Sequence, residues 1–497
     1  MELTRQIISY ESAPLRASSR AAAEGTLTPP ASLPPMAKVL CVDGRATASA
    51  EAAEGKLLVD GAVTLSVLYV CPAGKTYGFE STAVFRHNAE LPGAQPGMAA
   101  SVCCAVGELS WRLSGGAIEL RAEVLLECEA AGAQSLSAVS ALSLPGLEAK
   151  TETLCAAQCR TVPEELGLHD EVRLPRTAER LLCVNGFCRI QSAACEEGGK
   201  AFLSGMLRLC AVFAAPDGTI VQSPFSLPFE ARVPLPEGTE KVFAFARLLM
   251  LSGTLVDEDV LSVEARTQVS LCALSQKAVT VYTDAYAADA DLTCTLSPLN
   301  LCEPAGCLCR GTLRLEAALP EGMPDAERVL CAQLRPALEG CTPGAGTLCA
   351  SGTMYASILY LCREGNLHSF EAALPFSCDC DCPALSANSL LLCDAACELL
   401  HAGAATGSIL LQCALDCAVR VSTVTDHCVV TDAALSPLKN SLYGPVVYFP
   451  AEGEGLWDVG KRFCVPLEEL RALNPALEKE LPAALLLNLR RRAASQG

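Results

Sequence analysis

The sequence predicts a mainly β protein: three repeated β-sandwich-like domains followed by a small α+β domain of βααβ order. Three observations carry that prediction. Gly61, Gly205 and Gly352 are each followed eight residues later by an aromatic (Tyr69, Phe213, Tyr360), and sixteen residues after that by Phe85, Phe229 and Phe376. Two spacings held across three copies mark an internal repeat, with the glycines 144 and 147 residues apart. Around them Val, Leu, Ile and Thr alternate with a period of two, as in Ala62 to Val70, Ala117 to Leu126 and Val263 to Ala273, which is the pattern of half-buried strands. Helical periodicity is weak until the C-terminal end.

Taken in order, residues 1–32 read as an arm that starts with a short strand, Gln6-Ile7-Ile8-Ser9-Tyr10, and passes into Ala, Ser and Pro. The repeats are expected at 33–150, 171–287 and 321–435. Linkers are expected near 150 to 170, 288 to 320 and 436 to 445. Each repeat opens alike, with Lys38-Val39-Leu40-Cys41-Val42, Arg180-Leu181-Leu182-Cys183-Val184 and Arg328-Val329-Leu330-Cys331-Ala332, 23 to 25 residues before its glycine. A Pro-led approach precedes each opening, one residue longer in the second copy. Between the glycine strand and the second aromatic lies a turn sequence in every copy: Pro72-Ala73-Gly74-Lys75, Pro216-Asp217-Gly218-Thr219 and Arg363-Glu364-Gly365-Asn366. Tyr69, Phe213 and Tyr360 keep strict register with strand alternation, so they read as core rather than site.

The last domain, 445–490, begins with a strand at Val446-Val447-Tyr448-Phe449. Leu456, Val459 and Phe463 form one helical stripe, Leu467, Leu470 and Leu473 another, and Leu485 to Leu489 the closing strand. Pro466 suits a first helical turn.

Composition limits the function classes. A chain of 497 residues with 51% hydrophobic and 19% charged residues has ample core material. A net charge of -19 works against broad attachment to nucleic acid or anionic lipid. The basic cluster Arg490, Arg491 and Arg492 reads as a solvated tail, the alternative being an anchor to anionic lipid or an acidic partner. Met1 to Arg5 lead into a mixed polar segment, and the charge-free run from Gly340 to Cys362 contains Pro343 with many Gly, Ser and Thr. Neither a secretory signal nor a membrane helix is expected, which places the protein inside the cell that makes it. In a reducing compartment the 29 cysteines are then expected to stay free and pack as small hydrophobes.

No residues assemble into catalytic chemistry. Gly74-Lys75-Thr76 resembles the end of a phosphate loop, but the first glycine of that motif would fall on Tyr69. The five histidines are scattered, and neither G-x-S-x-G nor H-E-x-x-H occurs. For metal, Cys378-Asp379-Cys380-Asp381-Cys382 is the best candidate, since alternate thiols of a strand share a face, while Cys307 with Cys309 and Cys155 with Cys159 are weaker. Packing is the expected role of all of them. The expectation is therefore a protein that is not an enzyme, with no cofactor and no metal.

Gly453, Leu456, Trp457, Phe463, Leu470, Asn474 and Pro475 resemble a LysM module, whose pattern runs strand, G-D-T-L-W, two helices ending in N-P, and strand. Glu454 stands where that pattern has Asp. Gly455 stands where it has the Thr that helps line the sugar groove. The repeats resemble the SPOCS domain of spore-coat proteins, through Pro324-Asp325, Val329-Leu330, the glycine strand ending in Tyr and the following Phe; Thr283-Asp284-Ala285-Tyr286 is similar to a further segment of that family. The combined architecture implies a non-enzymatic scaffold of coat morphogenesis in the mother-cell cytoplasm. It would dock through LysM onto a SpoIVA-type coat morphogenetic ATPase at the forespore surface, and other coat proteins are further expected partners. The candidate partner-binding residues are Leu456, Trp457, Lys461 and Asn474. A cell-envelope protein using LysM on peptidoglycan is the alternative, disfavoured by Gly455 and by the expected lack of export.

Overall fold

The structure, a computed structural model, describes residues 1–288, 290–383, 385–386, 388–436, 444–475 and 484–489. The tail cluster Arg490–Arg492 and most of the linker expected at 436 to 445 lie outside the described residues. The chain is mainly β and built from small antiparallel sheets.

The first repeat comprises β1 (Glu2–Glu11), β2 (Leu15–Leu27), β3 (Lys38–Ala53), β4 (Lys56–Val70), β5 (Thr76–Glu90), β6 (Ala99–Ser114), β7 (Ala117–Ala131) and β8 (Ala133–Ser143). The second has β9 (Leu147–Arg173), β10 (Arg180–Glu196), β11 (Lys200–Ala214), β12 (Ile220–Pro234), β13 (Lys241–Asp257) and β14 (Val260–Ala287). The third has β15 (Asp291–Ala318), β16 (Ala326–Pro343), β17 (Thr347–Cys362), β18 (Leu367–Asp381), β19 (Leu390–Ala405) and β20 (Ser408–Ser436).

In each repeat a meander, β3-β4-β5 or its equivalent, faces a second three-stranded sheet, ordered β2-β7-β6, β13-β14-β9 and β15-β20-β19. The two sheets adjoin at both edges, β3 against β6 and β5 against β2 in the first repeat. Tyr69, Phe213 and Tyr360 are fully buried between them, as strand alternation requires. The hydroxyl of Tyr69 donates to the Pro34 carbonyl at 2.7 Å and that of Tyr360 to Pro324 at 3.0 Å. These bonds fasten the proline approach to the core; the second repeat has Phe213 and a longer approach instead. Each turn glycine takes the left-handed conformation, Gly74 at φ 77°, Gly218 at φ 80° and Gly365 at φ 78°.

Two expectations need correction. The arm is more extensively ordered than the short strand expected at Gln6 to Tyr10, because β2 pairs with β7 and β1 with β8, and Ile8 and Ala23 are buried. The segments read as linkers at 150 to 170 and 288 to 320 are the long strands β9 and β15, which pair with β14 and β20 along their lengths. Their Pro, Glu and Cys content hides the alternation, since the backbone ladder rather than a continuous apolar face holds them.

The long strands explain how the repeats join. Each repeat's paired ribbon runs beyond its own sandwich, and all three ribbons share a core of Ile8, Ala138, Leu154, Val281, Leu299 and Val429. A second shared core forms where the repeat openings meet, from the equivalent residues Leu40, Leu182 and Leu330 with Leu68, Val212 and Leu359. Buried charge pairs lie across the joints. Arg335 donates to Asp43 at 2.7 Å and Arg420 to Glu129 at 2.7 Å, both from the third repeat to the first. Arg247 of the second repeat bonds Asp394 of the third and the Ala46 carbonyl of the first. It therefore ties all three repeats together.

The C-terminal module runs β21 (Gly444–Tyr448), α1 (Leu456–Phe463), α2 (Leu467–Leu473) and β22 (Leu485–Leu489), with β21 paired to β22. Val459, Val465, Leu470, Leu485, Leu487 and Leu489 form its core. Among the described residues, no helix is long and apolar enough to cross a membrane.

Candidate partner interface of the C-terminal module

The residues expected to meet a partner are mostly used within the chain. Asn474 is buried; its amide nitrogen donates to Leu470 O at 2.8 Å and Leu486 O at 2.9 Å, and its carbonyl accepts from Leu486 N at 2.8 Å. Both donors of the side chain are thereby committed, and they lock the end of α2 to β22. Leu456 packs against the module core. Asn474 is thus spent within the module, and Leu456 is half-buried.

Trp457 and Lys461 sit one turn apart on α1, so they share a face. That face lies on the second repeat. The Trp457 indole donates to Asp284 Oδ2 at 2.7 Å, and the Lys461 ammonium donates to Asp284 Oδ1 at 2.5 Å. Each carboxylate oxygen thus has its own donor, and one donor is charged. Two residues along β14, the ring of Tyr286 meets the Trp457 ring edge to face at 5.0 Å, and its buried hydroxyl donates to Val465 O at 2.9 Å. Gly460 makes this approach feasible, because a Cβ there would lie 2.5 Å from the Tyr286 oxygen. The neighbouring strand adds Lys150, whose ammonium lies 4.7 Å from the Trp457 ring centroid, and Glu148, which accepts from Leu467 N at 3.2 Å.

Burial pushes the Asp284 carboxyl up, but the bonds from Lys461 and Trp457 outweigh it and hold the group below its ordinary value. Burial and the nearby Glu148 push the Tyr286 phenol up, so it stays a protonated donor. The arrangement is a docking joint between the module and the ribbon of the second repeat.

Among the described residues, the module exposes apolar side chains on its other face. Val447 and Leu486 are cross-strand partners with 55% and 48% exposure, and Phe449, two residues on from Val447, is 70% exposed. Alternation of exposed and buried residues along β22 puts Leu485, Leu487 and Leu489 inside and Leu486 out. Glu454 accepts from Ala451 N at 3.0 Å and from the Tyr448 hydroxyl at 2.7 Å, and so shapes the loop into α1.

Sequence reasoning missed the receiving residues Asp284, Tyr286, Glu148 and Lys150. Thr283-Asp284-Ala285-Tyr286 stood out as a segment, but nothing local ties it to a helix 173 residues away. The expectation that thiols stay free also needs correction at one pair. Strands β15 and β18 adjoin in the third repeat, which brings Cys307 and Cys382 to a Cα separation of 6.4 Å and joins them as a disulfide.

Residues 35–113 match the family model described as SipL, SPOCS domain. This part of the chain is similar to that domain. It resembles SipL there. No curated protein and no solved structure matches the chain. The match takes in the end of the proline approach from Pro35, the whole β3-β4-β5 meander with Gly61, Tyr69 and Phe85, and most of β6. The second and third repeats carry the same meander, in which Gly205 pairs with Phe229 and Gly352 with Phe376, as Gly61 does with Phe85. Their meanders have the strand order of the matched segment.

Proposed function

We propose that the chain is a non-enzymatic scaffold of spore-coat assembly, acting in the mother-cell cytoplasm at the forespore surface, with its C-terminal module as a LysM domain. Its partner in this reading is a SpoIVA-type coat morphogenetic ATPase. The observation that supports it best is the SPOCS-domain match at 35–113, set in a body whose three repeats are joined through shared cores. Such a body offers a joined platform, and the module carries exposed apolar side chains on the face turned from it.

The docking joint changes which residues carry the partner contact. Trp457 and Lys461 hold the module on the body, so the partner surface in this proposal is Val447, Phe449 and Leu486. Glycan binding through the usual LysM groove is disfavoured by Gly455 and by the commitment of the neighbouring Trp457 to Asp284.

The test is binding of the full-length chain to a purified SpoIVA-type ATPase, with peptidoglycan fragments as competitors. Phe449→Ala should weaken binding at least tenfold while Trp457 stays docked, and glycans should not compete. Binding to glycan alone would sink the scaffold reading. Binding to the ATPase unaffected by Phe449→Ala but lost with Trp457→Ala would return the contact to the covered face.

A further inference from the structure

Cysteines gather in the core of the third repeat. Cys309, Cys378, Cys380, Cys393, Cys413 and Cys417 are all buried in one cluster. Within it the sulfurs of Cys309, Cys380 and Cys417 all lie within 4.8 Å of one another. Cys378 Sγ stands 3.9 Å from Cys380 Sγ. The trio is made by tertiary structure: Cys309 and Cys417 are cross-strand partners on β15 and β20, and Cys380 comes from β18 in the facing sheet. The Cys307–Cys382 disulfide joins positions two residues away from Cys309 and Cys380, and so pins the strands that supply them.

A second observation points the same way. Gly311 follows Cys309 by two residues on β15, hence on the same face. A Cβ at 311 would lie 2.0 Å from Cys378 Sγ and 3.0 Å from Cys380 Sγ. Glycine weakens a strand interior and often marks a close approach; here the space it leaves is filled by two sulfurs.

The chemistry of this donor set is selective. Buried thiols with no carboxylate or imidazole among them suit a soft ion rather than magnesium or calcium. Zinc-to-sulfur bonds of about 2.3 Å place the sulfurs of a tetrahedral site about 3.8 Å apart, close to the spacing already present between Cys378 and Cys380.

We propose that the third repeat binds one zinc ion through Cys309, Cys380 and Cys417, with Cys378 as the fourth thiol within reach. Binding exchanges S–H protons for the metal; the protons leave to solvent and no electrons move.

The experiment uses the full-length chain with its thiols reduced and cobalt(II) as a coloured stand-in for zinc. One equivalent should bind with sulfur-to-metal charge-transfer bands and strong tetrahedral absorption, and zinc should displace it. Cys380→Ser, Cys417→Ser and Gly311→Ala should each lose that signal, the last with every thiol retained. The double variant Cys307→Ser with Cys382→Ser should keep it. X-ray absorption of the zinc-loaded wild type should count three or four sulfurs, a reading that does not depend on any variant folding. The proposal is overturned by absence of stoichiometric binding, by binding indifferent to Cys380→Ser and Cys417→Ser in folded variants, by a nitrogen and oxygen shell, or by a disulfide within the trio.

Discussion

The indole N–H of Trp457 donates to the Asp284 carboxylate at 2.7 Å across 173 residues of chain. This bond, with the Lys461 ammonium on the other oxygen, makes the C-terminal module part of the body rather than a tethered bead.

Replacing Asp284 should release the module. Hydrogen bonds to charged groups contribute about 1.5–3 kcal/mol each, so Asp284→Ala should favour the undocked state by at least about tenfold. In a Trp111→Phe background Trp457 is the sole indole, and its emission should shift to the red. Limited proteolysis near 437–443 should accelerate in parallel. Unchanged emission would mean that Tyr286 and Gly460 suffice for docking.

The joint should also loosen in acid. Asp284 is held below its ordinary value, so its contribution is fully present above about pH 4, the unfolded aspartate value, and is lost as pH falls through the lower folded value. Trp457 emission should titrate below about pH 4, and Asp284→Asn should abolish that step.

The repeat glycines should resist substitution. A Cβ on Gly61 would lie 2.3 Å from the Phe85 ring, one on Gly205 2.2 Å from Phe229, and one on Gly352 2.0 Å from the Ala337 carbonyl oxygen. Overpacking of this kind costs about 1–3 kcal/mol. Gly352→Ala should be the worst in denaturant unfolding, because its obstacle is backbone and cannot rotate away.

The joints between repeats should fail asymmetrically. Arg335 and Asp43 are both under a tenth exposed, so Arg335→Met leaves an unpaired buried carboxylate, at a cost of about 3–5 kcal/mol. Pairing it with Asp43→Leu should recover most of that loss. A double variant no more stable than the single one would show that the carboxylate is not the source of the penalty.

Much of the repeat was legible because its signals are local. Gly61 and Phe85 face each other across one hairpin, and Tyr69 lies eight residues along the strand of Gly61, so period-two alternation and turn glycines suffice to read the meander. The strand at Gln6 to Tyr10 was legible too, but its partner β8 was not. Strands β9 and β15 read as linkers because their ladders are completed by residues 87 to 145 positions away.

The sequence alone determined the triplication, the mainly β class, the strands of each meander and the helical stripes of the C-terminal module, since each is set by spacing within a few residues. Tertiary structure decided the rest: that three ribbons share a core, that Arg247 ties three repeats, that Asp284 receives Trp457 and Lys461, and that Cys309, Cys380 and Cys417 converge. Those outcomes depend on which distant strands pair and in what register. Side-chain periodicity dictates which face of a strand is buried, and it carries no label for the partner that buries it.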